Sequence, residues 1–351
     1  LKIAIITDTH FGARNDNQNF NDYFFKFYDD IFFPTLIERE ITTCIHMGDV
    51  MDRRKYVSYK TATDFRKRFI NRFTELGIDL HIIVGNHDTY YKNTSEVNSM
   101  EELVGQDRFK IYTFPDVVEF DGTPILFMPW INSGNYDSSM QALSKSKADL
   151  LMGHLEINGF EMHKGQIADG NYDSELFRRF DTVFSGHYHH KSDDGHIFYL
   201  GTPYEIMWND YDDPKGFHIY DTATRELERI VNPYKLFKKI FYDDSNADYN
   251  KHDVDQYKEC YVKLIVVNKK DLYGFDQFVD RLLKVDAYEV KIIEDFSELD
   301  AGNVSDDIVE NTEDTLSLLE KYIDELDVTL SKRRLKNTMK SLYNEAQDLE
   351  L

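Results

Sequence analysis

The sequence predicts an α/β fold. Three observations carry that expectation: short β-prone apolar runs recur through the first two thirds of the chain, a cluster of polar residues ends most of them abruptly, and helically patterned segments lie between them. A chain of 351 residues that is 41% hydrophobic can bury a substantial core, and its length allows roughly two to three domains.

In order, the strand-like runs are Lys2 to Ile6, Thr42 to His46, Leu80 to Val84, Ile125 to Met128, Asp149 to Met152, Thr182 to Phe184, His196 to Leu200 and Gly216 to Tyr220. Helical patterns span Asn19 to Glu38, Ser58 to Leu76 and Ser139 to Lys147. The pattern changes near Asn232-Pro233, and after the acidic, turn-rich Asp243 to Asp255 comes a small βαβ-like unit: Tyr261 to Val267, Tyr273 to Leu283 and Glu289 to Ile293. Residues 297–314 are acidic and poor in apolar side chains, which suits a linker. Beyond them Leu316, Leu319, Ile323, Leu326 and Leu330, and then Leu335, Met339, Leu342, Ala346 and Leu349, fall at helical spacing. The expected units are therefore 1–235, 256–296, a linker over 297–314 and a helical segment over 315–351.

Composition narrows the function classes. No apolar run approaches the length of a membrane span. The first run stops at Thr7-Asp8 without a basic segment before it, so neither a membrane protein nor a secretory precursor is expected. Cys44 and Cys260 are too few for a disulfide framework and sit in apolar runs, which points to a reducing cytoplasm. A net charge of −23 argues against a protein that coats nucleic acid through bulk charge. The charge is uneven: 50–72 holds eight basic residues (Arg53, Arg54, Lys55, Lys60, Arg66, Lys67, Arg68 and Arg72) against two acidic ones, and 297–327 holds eleven acidic residues against Lys321. Either stretch reads equally as a solvated helix face.

Five early runs end alike, in Asp8-Thr9-His10, Gly48-Asp49, Gly85-Asn86-His87-Asp88, Gly153-His154 and Gly186-His187-Tyr188-His189. Ligands of open α/β sheets sit beyond the carboxyl ends of the strands, so these clusters can converge. Together they supply Asp8, Asp49, Asn86, His10, His154, His187 and His189, with His87 and Asp88 left over. Hard and borderline donors without a thiolate suit Mn²⁺, Fe or Zn²⁺. Seven are too many for one open catalytic ion and suit two, roughly 3.5 to 4 Å apart with a carboxylate between them, an arrangement that clamps a phosphoryl group and activates water. Glycines before the clusters let the chain turn sharply and approach a substrate. His46 and His81 lie inside apolar runs and read as core residues, while His163, His190, His196, His218 and His252 lack a partner motif.

These ordered motifs resemble those of the calcineurin-like metallophosphoesterases. Gly48-Asp49-Val50-Met51-Asp52-Arg53, Gly201-Thr202-Pro203 and Asp213-Pro214-Lys215-Gly216-Phe217 resemble the SbcD-type DNA nuclease subunits within that family, those of T-even-like bacteriophages included. The resemblance is specific over about residues 1–235 and one of layout beyond. It implies a metallophosphoesterase sandwich of two mixed β-sheets flanked by helices, with a small α/β cap and C-terminal helices. It also implies that Asp8, His10 and His189 hold one ion and Asn86, His154 and His187 the other, with Asp49 bridging. His87 would stabilise the transition state and protonate the departing oxygen, Asp88 would orient it, and Asp52 would support a ligating histidine, although a helix-start role suits Asp52 equally.

Mn²⁺ is the ion expected first, with Mg²⁺, Fe or Zn²⁺ as alternatives. The expected activity is metal-dependent DNA hydrolysis, by family implication a 3′ to 5′ double-strand exonuclease and single-strand endonuclease in end processing, recombination and repair. The basic residues Arg53, Arg54, Lys55, Lys60, Arg66, Lys67 and Arg68 are the candidate DNA contacts. A phosphatase or phosphodiesterase acting on a small or protein substrate, and a non-catalytic DNA-end scaffold, are the alternatives. No Gly-x-x-x-x-Gly-Lys-Ser/Thr occurs, so a nucleotide site is not expected in this chain. The resemblance places ATP use in an ABC-type, SMC-like ATPase partner docked through Leu316, Leu319, Ile323, Leu326, Leu335, Met339 and Leu342; a helical hairpin on its own core explains the same stripes. It also implies a homodimer through helices such as that bearing Ala62, Phe65, Phe69, Phe73 and Leu76, a stripe that core packing explains too. The cytoplasm would be that of a host cell if a phage encodes the chain.

Overall fold

The computed structural model describes residues 1–104 and 109–294, together with 323, 332, 335, 336 and 339. The architecture is α/β, with two six-stranded mixed sheets. The first comprises β1 (Lys2–Ile6), β2 (Thr43–His46), β3 (Asp79–Ile83) and β4 (Phe109–Tyr112), with β13 (Gly216–Asp221) and β14 (Leu227–Val231) beyond β1. The second comprises β5 (Asp116–Phe120), β6 (Thr123–Met128), β7 (Leu150–His154), β10 (Thr182–Gly186), β11 (Ser192–Asp193) and β12 (Ile197–Tyr199). A short hairpin, β8 (Glu161–His163) with β9 (Gln166–Ile167), precedes β10.

The inner strands of each sheet pair in parallel: β1, β2 and β3 in one, with β4 added in parallel at the edge, and β6, β7, β10 and β12 in the other. Parallel strands are buried on both faces, which is why they read as continuous apolar runs. Ile3, Ile5, Ile45 and Ile83 of the first sheet meet Ile125, Phe127, Leu150, Met152 and Phe184 of the second in the core between the sheets. Ala4, Ile6, Cys44, Leu80 and Ile82 face the other way, against helices.

Those helices are unusually aromatic. Asn17 caps the helix Gln18–Phe27 by accepting the Asn19 N–H, and the helical run continues through a π-helical turn, Tyr28–Phe32, into Phe33–Glu38. Ser58 caps a second run, Tyr59–Asp64, Phe65–Ile70 and Asn71–Leu76, again with a π-helical middle. Its apolar stripe faces inward: Phe65, Phe69 and Phe73 are fully buried and pack with Phe11, Tyr28, Phe32 and Phe33. Each such ring contributes roughly 1.5–3 kcal/mol through burial. The expectation that this stripe serves a dimer is therefore corrected: Phe65, Phe69 and Phe73 form core.

Strands at the sheet edges escaped the sequence reading. In Phe109–Tyr112, Asp116–Phe120 and Leu227–Val231 most side chains are half-buried or exposed, so no apolar run marks them. A third sheet joins β15 (Phe237–Asp243), β16 (Tyr261–Asn268) and β17 (Glu289–Ile293) in parallel under the helix Leu272–Lys284. Its first strand was hidden by Lys238, Lys239 and Asp243; the Lys239 ammonium lies 4.6 Å over the Tyr211 ring. Among the described residues no helix is long and apolar enough to cross a membrane. Ile323, Leu335 and Met339 are helical, and Ile323 is buried. The linker 297–314 and Leu316, Leu319, Leu326 and Leu342 lie outside the described residues.

Candidate metal centre

The five polar clusters leave the ends of β1, β2, β3, β7 and β10, and their side chains converge between the two sheets. Sharp turns achieve this: Asp8, His10, Asp49 and His187 adopt φ of 52°, 44°, 52° and 88°, a left-handed backbone that non-glycine residues enter at a cost and that clusters at functional sites. Gly48 (φ 99°) and Gly186 serve the approach of loop to loop rather than of chain to substrate. A Cβ on Gly48 would lie 2.6 Å from His154 Nδ1, and one on Gly186 2.0 Å from Thr7 Oγ1.

Two candidate metal-binding groups result, Asp8 with His10 and His189, and Asp49 with His154 and His187. In the first, the Nε2 atoms of His10 and His189 face each other at 3.2 Å. In the second, Asn86 Oδ1 lies 2.9 Å from both His154 Nε2 and His187 Nδ1, and these two nitrogens are 3.2 Å apart. Asp49 Oδ2 stands between the groups, 3.3 Å from His154 Nε2 and 4.0 Å from His10 Nε2. Its other oxygen accepts the His87 backbone N–H at 2.8 Å.

The donor chemistry fits a cation. His154 Nδ1 lies 2.9 Å from the Met47 carbonyl, which can only accept, so Nδ1 carries the proton and neutral His154 points a bare lone pair at Asn86 and His187. Donors about 2.0–2.1 Å from a common ion are separated by roughly 3.0–3.4 Å, matching these spacings. Without an ion, protons must offset the crowding. Burial pulls His10 and His154 down, but Asp52, Asp49 and Asp8 around the first, and Asp49 and Asp8 around the second, lift both to about 9. Burial pushes Asp8 up to about 6, and burial with His154 nearby pulls His187 down to about 3. Burial opposes ionisation of Asp49, yet His154, His87 and His10 hold it well below the usual carboxylate range.

His87 sits edge-on to His10 with ring centroids 5.0 Å apart. Its Nδ1 donates to the Asp52 carbonyl at 2.6 Å, leaving Nε2 for a substrate. Asp88 does not orient it, and that expectation is corrected: the buried Asp88 carboxylate accepts the N–H groups of Val50, Met51 and Gly85 at 2.9, 3.0 and 2.9 Å, tying two of the turns together. Asp52 Oδ1 lies 3.5 Å from His10 Nδ1. His46 is buried and joins the turns too, with Nε2 3.0 Å from Thr9 Oγ1 and Nδ1 accepting the Gly48 N–H.

Two supporting groups were given no role by the sequence reading, although Lys215 lies in the Asp213 to Phe217 motif. Glu156, two residues after His154, accepts Trp130 Nε1–H at 2.9 Å and lies 3.7 Å from His187 Nε2, the nitrogen facing away from the donor cluster. Lys215 is buried and binds Asp210 and Asp213 at 2.7 and 2.8 Å and the His189 carbonyl at 2.9 Å. A further group, His163 with His189 and Asp210, also has ligand spacing. Asp210 there is already engaged by Lys215 and by the N–H groups of Ile206 and Met207.

The basic segment is largely neutralised in place. Arg53 pairs with Asp16, Lys60 with Asp64, and Arg68 with Asp29 at 2.9 Å. Arg54 stacks over Trp130 and donates to Thr89 Oγ1. Lys55, Arg66 and Lys67 are exposed.

The chain is similar to several known proteins. The chain is 32% identical over 311 residues to Exonuclease subunit 1 of Enterobacteria phage T4, covering 87% of this chain and 88% of the relative. It is 22% identical over 201 residues to the SbcD component of the SbcCD nuclease of Staphylococcus saprophyticus, covering 50% of this chain and 54% of that protein. A solved archaeal phosphodiesterase aligns with 66% of this chain and all of its own, at 17% identity and a TM-score of 0.32. Residues 1–191, which contain every one of the converging donors, match the calcineurin-like phosphoesterase family, and the chain belongs to that family.

Proposed function

We propose that this protein is the nuclease subunit of a complex that processes DNA ends, hydrolysing phosphodiester bonds with two divalent ions. The observation that carries the reading is the pair of donor groups sharing Asp49, with His87 beside them and outside both. Asp8, His10 and His189 would hold one ion and Asn86, His154 and His187 the other, with Asp49 between. Mn²⁺ is the ion we expect, Mg²⁺, Fe and Zn²⁺ being the alternatives. Two ions so held lower the pKa of water and offset charge on the phosphoryl oxygens. Asp49 ties the donor groups to His87 by accepting that residue's backbone N–H. His87, acting as imidazolium with Nδ1–H held by the Asp52 carbonyl, then gives its Nε2 proton to the departing oxygen and is left as the neutral Nδ1–H imidazole.

DNA rather than a small substrate is favoured by the likeness to the phage exonuclease subunit along most of the chain. Both relatives are named as subunits, which supports a partner chain; our reading of that partner is an SMC-like ATPase docked through the segment from Leu316 onward, with a second copy of the chain on a face other than the Ala62 to Leu76 stripe. The test is incubation of the purified chain, with and without such an ATPase, on labelled duplex and single-stranded DNA across divalent ions. Metal-dependent cleavage that is absent in Asp49→Ala is expected. Turnover of small phosphoesters without any DNA cleavage would return the protein to the phosphatase reading. Deleting everything after Val304 should spare cleavage and remove association with the ATPase.

A further inference from the structure

Three segments beside His87 bear aromatic rings turned to solvent or stacked under arginine. The first follows Asp52, whose carbonyl holds His87: Tyr56 is 61% exposed, with the Arg53 guanidinium 4.3 Å over its ring and bonded to its hydroxyl at 3.1 Å. The second begins two residues after His87. Tyr90 and Tyr91 are 40% and 50% exposed and meet edge to face at 4.8 Å. They sit on a small hairpin held by the Thr89 and Asn98 bridge and by the Tyr90 N–H on the Val97 carbonyl at 2.9 Å. The third is Trp130, whose indole N–H is held by Glu156 next to His187. Arg54 links all three, lying in the first segment, stacking 5.0 Å over Trp130 and donating to Thr89 at 3.3 Å.

We propose that Tyr56, Tyr90 and Tyr91 form a stacking rim for unpaired nucleobases next to the scissile phosphate, on the side from which His87 releases the leaving strand. The proposal rests on the nuclease reading and adds where, and through which chemistry, an unwound strand is gripped. Arg53 is already paired with Asp16, so its charge is committed inside the protein, and its effect is to back one face of Tyr56 while the other stays open. An aromatic ring held in this way stacks on any base, because every base offers a π-face. A duplex keeps its bases inside its own stack, so the rim selects ends that are frayed or single-stranded. A protein partner is the other class of occupant for exposed aromatics. Its place here is disfavoured because a protein seated against Asp52 and His87 would cover the entry to the donor groups.

The experiment uses the full chain and a single-stranded oligonucleotide carrying 2-aminopurine, whose fluorescence falls on stacking against a ring. The triple variant Tyr56→Leu, Tyr90→Leu, Tyr91→Leu keeps apolar bulk and removes the rings. It should bind the oligonucleotide about 10-fold or more weakly and lose the quenching. Its loss on single-stranded DNA should also exceed any change on a small chromogenic phosphodiester by about 10-fold. The matching triple to Phe, which retains the rings, should stay near wild type and reports whether the surface folds. Tyr273→Leu, at a 72% exposed ring on the third sheet's helix, controls for a generally sticky surface. Wild-type quenching in the Leu triple overturns the rim, and so does retained DNA binding with loss of the ATPase, which would mark a protein-docking face. Failure of the wild type itself to bind or cleave DNA would instead overturn the nuclease reading.

Discussion

The donor groups and the basic segment from Arg53 to Arg72 are neighbours in space and opposites in design. At the donor groups, buried polar atoms from both sheets face one another at 2.9 to 3.3 Å, a crowding that only a bound ion or added protons offset. In the basic segment the reverse holds, because Arg53, Lys60 and Arg68 each meet a carboxylate of the same chain, and Arg72 lies 3.8 Å from Glu75. Eight basic residues in the sequence become, among the described residues, three exposed ones without an ion pair: Lys55, Arg66 and Lys67. A charge count measures what a segment carries, whereas function depends on what it has left after folding.

Four measurements would break or sharpen that contrast. The largest effect is expected at the shared carboxylate. Asp49→Ala, like chelation, should abolish hydrolysis, and metal content measured by mass spectrometry should fall with it. Chelated wild type should recover on adding Mn²⁺, and the variant should not. His87→Asn comes next, with kcat lower by about 10²-fold or more while both ions remain bound by calorimetry. Loss of metal there would move His87 into the donor set.

Asp88→Ala separates support from chemistry. It strips an acceptor from three buried N–H groups, each costing on the order of 1–3 kcal/mol before relaxation, so thermal unfolding should shift strongly. A drop in kcat at unchanged stability would show that Asp88 acts on His87 after all. The smallest effect belongs to the surface. Replacing Arg66 and Lys67 by Ser should flatten the salt dependence of duplex binding, with a slope change of about 0.9 for each phosphate no longer neutralised. Adding Arg68→Ser should change it little further, because Asp29 already holds Arg68. A large third step would mean that this pair opens when DNA binds.

Much of the site was legible because its residues end strands. A β-prone run followed at once by Gly-Asp, Gly-Asn-His-Asp or Gly-His-x-His announces both the strand and the turn, and the carboxyl ends of parallel strands gather on one side. Asp88 could not be read correctly, since only the fold reveals that its oxygens face Gly85, Val50 and Met51 rather than the ring next to it. Glu156 was silent, and Lys215 stood in a motif without a role, for the same reason: each acts on a residue that folding alone brings near.

By itself, then, the sequence determined the α/β class, the central strands, the aromatic helices and the donor types, because burial on both faces of a parallel strand and the chemistry of metal ligation leave marks on neighbouring residues. Lys60 with Asp64 and Arg72 with Glu75 are helical neighbours visible in the sequence, but the tertiary structure alone decided that Arg53 and Arg68 are spent on Asp16 and Asp29, that the Phe65, Phe69 and Phe73 stripe faces inward, and that β15 belongs to the third sheet. Those outcomes depend on partners far away in the chain, such as Asp16 for Arg53 and Tyr211 for Lys239, and no local pattern records a partner's position.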